Sequence, residues 1–183
     1  VWGVSDLLED LPGTLHLEVL DFGGAVLWQA QVPAPLLANQ SQLLRDGSAS
    51  AIFGDADPRR ILLVGVFVEA GGGAIGTPAH LYFHPPKELE LGVPSIRFAV
   101  TREGDEVHLT LEADVLAKDV YLSLEGTHFS ENFFDLLPGR PLTIRLETDR
   151  SADQAEAGLF IRTLAEIPRE GISVEDFEGR KPG

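Results

Sequence analysis

The chain has 183 residues, which is enough for one large domain or for two smaller ones. With 44% apolar and 23% charged residues it has the composition of a protein that folds in water, and its longest apolar stretch is far too short to cross a membrane. A net charge of −15 repels nucleic acid, and the absence of cysteine excludes disulfides, thiolate zinc sites and thiol catalysis without identifying the compartment.

A β-hairpin is predicted near the start of the chain. Leu15, Leu17 and Val19 alternate with less apolar residues, which is the period of a strand with one buried face. Residues 23–24 are both glycine and suit a tight turn, because glycine accepts a positive φ. The return strand is predicted over residues 26–32.

Residues 61–68 are apolar on both faces and predict a central strand that is covered on both sides. Residues 45–60, which precede this strand, contain few apolar side chains and are interpreted as a loop. A glycine-rich turn follows the strand, and residues 79–84 predict the next one.

The two halves of the chain are separated by the segment 84–87, which has the sequence His-Pro-Pro-Lys. Its two prolines interrupt any strand ladder and stiffen the chain. We therefore predict one domain over residues 1–86 and a second over residues 87–183, the latter ending in a polar tail.

The second half shows the strand period most clearly. Four segments alternate apolar and more polar side chains, at residues 96–101, 107–112, 120–125 and 142–147. Short turns separate them, which is typical of an antiparallel β-sandwich. The predicted fold class is therefore all-β, with two sandwich domains in tandem.

The end of the chain allows two interpretations. Ser151 and Gln154 have the spacing of a helix-capping box, whereas residues 159–164 also fit a last strand. Gly158 disfavours a helix and favours the strand. The polar stretch 170–183 is expected to fray.

Residues 71–76 match the spacing G-x-G-x-x-G of a dinucleotide-binding loop. Such a loop places a pyrophosphate at the N-terminus of a helix, but here the following residues predict a strand. We therefore interpret the segment as a hairpin loop and expect no cofactor.

The remaining chemical motifs are weak. His80 and His84 would lie about 13 Å apart on a strand, too far to share one metal ion, and the other three histidines are scattered. No serine lies in a G-x-S-x-G elbow. The carboxylates of Glu88 and Glu90, and those at 103, 105 and 106, lie in predicted linker and turn segments, without the desolvated pocket of a general acid. We assign no catalytic, cofactor-binding or metal-binding residue.

An aromatic-rich block stands out at residues 119–139, where a strand is followed by FSENFFDLLPG. Alternate members of its apolar residues at 129, 133, 134, 136 and 137 are candidates to fill the space between two sheets, and only one of the neighbours 133 and 134 is expected to do so. The block resembles the C-terminal immunoglobulin-like domain of the β-mannosidases of glycoside hydrolase family 2, which has a similar "DVYL-LEG … FSDNFFDLLPG" run.

The resemblance extends over most of the chain. Residues 1–7 resemble the family's "VWVVND" strand, residues 20–28 its "LLDFDGKVLW" hairpin, and residues 82–89 its interdomain "YF-PPK-L". Residues 159–166 look like its final strand. Ser5 and Glu131 depart from the family's usual Asn and Asp. The resemblance implies two immunoglobulin-like domains.

The resemblance also implies a function for the parent protein. Such enzymes hydrolyse terminal β-D-mannosides with retention, using two glutamates on a barrel that would lie upstream of Val1. The chain would then be a non-catalytic, structural region whose partners are the upstream domains of the same polypeptide.

Two further expectations concern binding. A carbohydrate-binding module is the alternative function, with Trp2, Trp28 and Tyr121 as candidate stacking residues. Because the chain starts without Met, we expect Val1 to be a cut end and the first sandwich to lack upstream strands. An unpaired edge of that kind favours self-association.

Overall fold

The computed structural model describes residues 1–167, which form two compact units. The N-terminal unit comprises Val1–Leu91, and the C-terminal unit begins at Gly92. The sequence-based boundary, after residue 86, lies a few residues earlier. Within residues 1–167, no helix is long and apolar enough to cross a membrane.

The N-terminal unit is built from two antiparallel sheets. The larger sheet has the strand order β3-β2-β5-β6, and the smaller one pairs β1 with β4. The elements of this unit are β1 (Trp2–Ser5), β2 (Gly13–Asp21), β3 (Val26–Pro33), β4 (Gln40–Leu43), α1 (Ala49–Phe53), β5 (Ile61–Glu69) and β6 (Ala74–Tyr82).

The predicted hairpin at residues 23–24 is confirmed between β2 and β3. Gly24 has φ 93°, and its N–H donates to the carbonyl of Asp21 at 3.0 Å. The side chain of Asp21 also accepts from the N–H of Ala25 at 2.8 Å, which closes the turn.

The prediction of a central strand over residues 61–68 is also confirmed, because β5 lies between β2 and β6. Ile61 and Leu63 pack in the main core of this unit, while Leu62 and Val64, on the opposite face of the strand, are buried as well. Burial on both faces explains why this strand has no polar alternation.

Two details of this unit differ from the predictions. The segment 45–60 is not entirely a loop, since it contains the short helix α1. Strand β6 starts at Ala74, earlier than predicted, and its register against β5 shifts between Gly65 and Phe67. Pro78 lies at this irregularity on an edge strand, where its missing N–H interrupts no ladder.

The C-terminal unit is a sandwich of two antiparallel sheets, with strand orders β10-β12-β8-β7 and β11-β9-β13. Its elements are β7 (Ile96–Glu103), β8 (Glu106–Ala113), β9 (Ala117–Ser123), β10 (His128–Phe129), β11 (Phe134–Leu136), β12 (Leu142–Glu147), α2 (Ala152–Gly158) and β13 (Phe160–Arg162).

The alternation predicted for this half matches the burial of its side chains. Every second residue of β8 is buried, and the same holds for the core-facing residues of β9 and β12. These residues form one apolar core: Val107, Leu109, Leu111, Val120, Leu122, Ile144 and Leu146. The chain is therefore all-β, with two immunoglobulin-like sandwiches in tandem.

The two interpretations of the chain end are both realised, one after the other. Ser151 and Gln154 form the capping box of α2, with Gln154 N–H donating to Ser151 Oγ at 3.2 Å. Gly158 ends this helix instead of preventing it, and a Cβ there would lie 2.9 Å from the side chain of Leu124. Close packing therefore explains the glycine. The final strand is limited to β13, and the fraying expected for residues 170–183 lies outside the described residues.

Candidate functional site

The glycine-rich segment 71–76 is a hairpin between β5 and β6, as predicted. The N–H of Glu69 donates to the carbonyl of Gly73 at 2.9 Å, and Gly72 has φ 96°. Strand β6 begins at Ala74, so no helix N-terminus follows that would receive a phosphate.

The histidines are not brought together. His80 lies on β6, and His84 follows that strand, with Nδ1 3.1 Å from the carboxylate of Glu88. His108 lies on β8, with Nε2 3.4 Å from the carboxylate of Glu106. No group of three His, Cys, Asp or Glu side chains in residues 1–167 is arranged to hold a metal ion.

The carboxylate of Glu90 belongs to an ion-pair cluster. It contacts Arg59 at 2.8 Å and also pairs with Arg60. Arg59 in turn contacts Asp57 at 2.7 Å, and its side-chain hydrogen bonds lower the pKa of Asp57 to about 2. Two arginines and two carboxylates thus neutralise one another, which is the arrangement of a structural cluster.

The acidic segment at residues 103–106 is the turn between β7 and β8. Glu103 and Glu106 are directly paired, and Gly104 between them has φ 62°. These carboxylates lie at an exposed hairpin, as predicted. An exposed turn of this kind does not provide the partly desolvated pocket in which a general acid is held.

The aromatic candidates have different surroundings. Trp2 is 66% exposed on β1, whereas Trp28 is half-buried against the core of the N-terminal unit. Tyr121 is exposed on β9 and packs against Phe133, with the ring centroids 5.1 Å apart. Within residues 1–167, Tyr121 is therefore the one of the three that belongs to an aromatic pair.

Phe133 and Phe134 face opposite surroundings, as expected for neighbouring residues of the aromatic block. Leu136 and Leu137 are buried and Phe134 packs against the core, but Phe133 is 67% exposed and fills no space between the sheets. Its backbone has φ 59°, a left-handed conformation that bulky residues rarely adopt. This conformation turns the ring away from the core and onto Tyr121.

A groove of about 480 Å³ lies beside this aromatic pair, on the outer face of the sheet β11-β9-β13. The pairing of β9 with β13 places Arg162 directly opposite Tyr121. The residues that line the groove are Asp119, Tyr121, Phe133, Arg162, Thr163, Leu164 and Ile167. The groove therefore has a mainly apolar surface with one carboxylate and one guanidinium group.

The carboxylate of this groove belongs to a small ionic network. Asp119 accepts from the amine of Lys118 at 3.0 Å, and Lys118 also lies 3.4 Å from Asp135. Asp135 further accepts from the N–H of Asp119 at 3.0 Å. The side chains of Lys118 and Asp135 are almost fully buried, so this network anchors the start of β9.

Two of these groove residues escaped the sequence analysis. Arg162 lies far from Tyr121 in the chain, and only the register between β9 and β13 makes them neighbours. Asp119 was quoted as part of the aromatic block, but no pattern indicated its left-handed φ of 51°. One sequence signal near the groove was available: Asn132 precedes Phe133, and Asn frequently stabilises local turns, which indicates an irregular backbone at Phe133.

Two family models match the chain in order. Residues 1–88 match a mannosidase Ig/CBM-like domain, and residues 91–167 match the Ig-fold domain of the mannosidase type. A comparison with curated protein sequences gave no match.

Solved structures show the same fold. A β-D-mannosidase from Dictyoglomus thermophilum is 23% identical with a TM-score of 0.74, over 88% of this chain and 20% of that one. An exo-chitosanase from Amycolatopsis orientalis is 11% identical with a TM-score of 0.56, over 90% of this chain and 24% of that one. The chain thus spans about a fifth to a quarter of the length of these enzymes. Because the two family models together span nearly all the described residues, the first unit of the chain belongs to the mannosidase Ig/CBM-like domains and the second to the Ig-fold domains of the mannosidase type.

Proposed function

We propose that this chain is the non-catalytic C-terminal region of a retaining β-mannosidase and that it supports the catalytic barrel of the same polypeptide. The observation that carries the proposal is the tandem order of the two mannosidase-type domains. An accessory C-terminal region of a glycosidase is what this domain pair represents in the family.

The placement of the acidic residues supports a non-catalytic role. A retaining glycosidase needs two carboxyl groups about 5–5.5 Å apart at one sugar-binding pocket. In the described part of the chain, Glu88 and Glu90 are engaged with basic side chains, and the acids of the β7–β8 turn are exposed. The catalytic pair would therefore be supplied by upstream domains.

The surface of the β1–β4 ribbon supports a role in packing against those domains. Trp2 and Leu43 are directly paired, and Val4 lies two residues further along the same face. All three side chains are largely exposed, so they form an apolar strip on one face of the ribbon. A strip of this kind is typical of a protein contact surface.

The first test is hydrolysis of an aryl β-D-mannoside. The purified chain should release no product above the blank, because the proposal assigns the two carboxyl groups of the retaining mechanism to the upstream domains. A longer polypeptide that includes the preceding domains should hydrolyse the same substrate, with the β-anomer as first product by NMR. Activity of the purified chain that persists through repurification would contradict the proposal.

The supporting role needs a separate measurement on the longer polypeptide. Trp2→Ser and Val4→Lys should lower the melting temperature of its catalytic domain if the β1–β4 strip packs against it. Leu8→Lys is the matched control, because Leu8 is an exposed leucine outside β1. Equal melting temperatures for all variants would contradict a contact through this strip.

A further inference from the structure

The outer face of the sheet β11-β9-β13 carries a row of three side chains across its strands. Tyr121 on β9 occupies the middle, with Arg162 opposite it on β13. Phe133, immediately before β11, lies on the other side, its ring tilted by 34° to that of Tyr121. Neighbouring strands are about 4.8 Å apart, so the two rings and the guanidinium group form a continuous surface.

Phe133 is fixed in this row by its neighbours. Asn132 Oδ1 accepts from the N–H groups of Leu122 and Phe133, at 2.9 and 3.0 Å. Asn132 Nδ2 donates to the carbonyl of Leu122 at 2.9 Å, and Phe133 N–H also donates to Val120 at 2.9 Å. The backbone at Phe133 is therefore rigidly held, so the position of its ring is set before any ligand arrives.

This position is costly for the isolated chain. A left-handed backbone conformation is strained for a residue with a bulky side chain. At Phe133 this strained backbone holds a large apolar ring in solvent, so the ring contributes little hydrophobic stabilisation. Strain that exposes an aromatic ring on a rigid strand edge is a feature of ligand sites, because a bound molecule recovers the lost burial.

The groove beside the row supplies polar groups at fixed places. Asp119 also has a positive φ, and its carboxylate keeps acceptor capacity beyond its contact with Lys118. The guanidinium of Arg162 lies 5.1 Å from the centroid of Phe160, which restrains it near the groove. An aromatic floor with one strong acceptor and one strong donor matches a ligand that has an apolar face and a hydroxylated rim.

We propose that this groove of the C-terminal unit binds a neutral pyranose of an oligosaccharide. The C–H face of the sugar stacks on Tyr121 and Phe133, while its hydroxyl groups donate to Asp119 and accept from Arg162. The volume of about 480 Å³ falls in the range of small-molecule sites and suits one or two sugar rings. This site goes beyond the proposed supporting role and does not depend on the activity of the parent enzyme.

The test is a titration of the full 183-residue chain with β-1,4-mannotriose and, separately, with cellotriose, followed by NMR. Amide signals of Tyr121, Phe133 and Arg162 should shift in a saturable way with at least one of the two sugars. Phe133→Ala should weaken binding by about tenfold, since one stacking partner is lost. Trp2→Ala is the matched control, because Trp2 is an exposed aromatic residue of the other unit. The affinity of this variant for the sugar should equal that of the parent chain.

A second variant separates binding from folding. Asp119→Asn keeps the shape of the side chain, and Asn tolerates a positive φ as well as Asp does. It should weaken binding, and because Lys118 keeps its contact with Asp135 the variant should remain folded at the temperature of the titration, which its amide spectrum shows. Equal affinity of Phe133→Ala, Asp119→Asn and the parent chain would overturn the proposal.

Two further outcomes would assign the groove to a different occupant. Saturable binding that appears only in a chain ending at Ile167 would mean that residues 168–183 occupy the groove, and would overturn the proposal. Absence of any response to both sugars, with protection of Phe133 from hydrogen exchange only in the longer polypeptide, would make the groove a contact between domains and overturn it too.

Discussion

At the scale of single residues, Asp57 shows how a neighbouring arginine changes the ionisation of an exposed carboxyl group. The pKa of Asp57 is lowered from 3.8 to about 2, chiefly by the side-chain hydrogen bonds of Arg59, with a further contribution from the Arg59 N–H. A lowered pKa in the folded state means that the carboxylate favours folding above pH 3.8, and that this contribution is lost as the pH falls towards 2.

We expect an NMR titration of the Asp57 carboxyl carbon to give a midpoint near 2. Arg59→Gln should raise that midpoint towards 3.8, because the charge and the paired donors are removed together. Arg97→Gln is a suitable control, since Arg97 pairs with Glu112 in the other unit. A midpoint near 3.8 in the parent chain would show that the contact between Asp57 and Arg59 does not persist in solution.

Phe133 and Phe134 are adjacent in sequence but differ in their surroundings. Phe134 packs against the core of the C-terminal unit, and Phe133 is exposed. Phe134→Ala should therefore lower the free energy of unfolding by about 3 kcal/mol, and Phe133→Ala by less than about 1 kcal/mol. Chemical denaturation of both variants measures the difference. Equal losses would mean that both rings contribute to the core.

At the scale of elements, the strands were predictable wherever one face is buried and the other is wet. Strands β8 and β12 are examples, because Val107 and Ile144 point into the core while His108 and Arg145 remain outside. The alternation follows from the pleat of a strand and requires no knowledge of its partner. For the same reason the sequence indicated the sandwich architecture of this half.

Elements whose form depends on distant packing were harder to predict. Gly158 disfavours a helix by intrinsic propensity, yet α2 includes it as its last residue. A glycine is needed there because the side chain of Leu124 leaves no room for a Cβ. Strand β6 starts early because it can pair with β5 despite Pro78, which a single-sequence pattern does not reveal. Local propensity alone therefore misplaced the limits of these elements.

The groove on the sheet β11-β9-β13 was predictable only in part. The aromatic block pointed to this region, and Tyr121 was among its candidate stacking residues. The position of Arg162 depends on the register between β9 and β13, which are separated by several other elements. The exposure of Phe133 depends on the hydrogen bonds of Asn132. Neither feature produces a periodic signal in the sequence.

At the scale of the whole molecule, the β1–β4 ribbon combines an open strand edge with an exposed apolar face. Strand β1 pairs only with β4 within residues 1–167, so its other edge presents backbone N–H and C=O groups without a strand partner. The exposed side chains of Trp2, Val4 and Leu43 lie on one face of this ribbon. An open edge next to apolar side chains is a template for pairing with another chain.

We therefore expect this chain to form a dimer or a higher species whose fraction rises with concentration, measured by sedimentation velocity. Val4→Lys should suppress this association, because a charge on an edge strand opposes pairing with a second apolar surface. Leu8→Lys should not, since Leu8 is 94% exposed but lies outside the strand. A longer polypeptide that includes upstream residues should associate less at equal concentration if those residues cover the ribbon. A chain that stays monomeric at high concentration would show that the ribbon is stable in water without a partner.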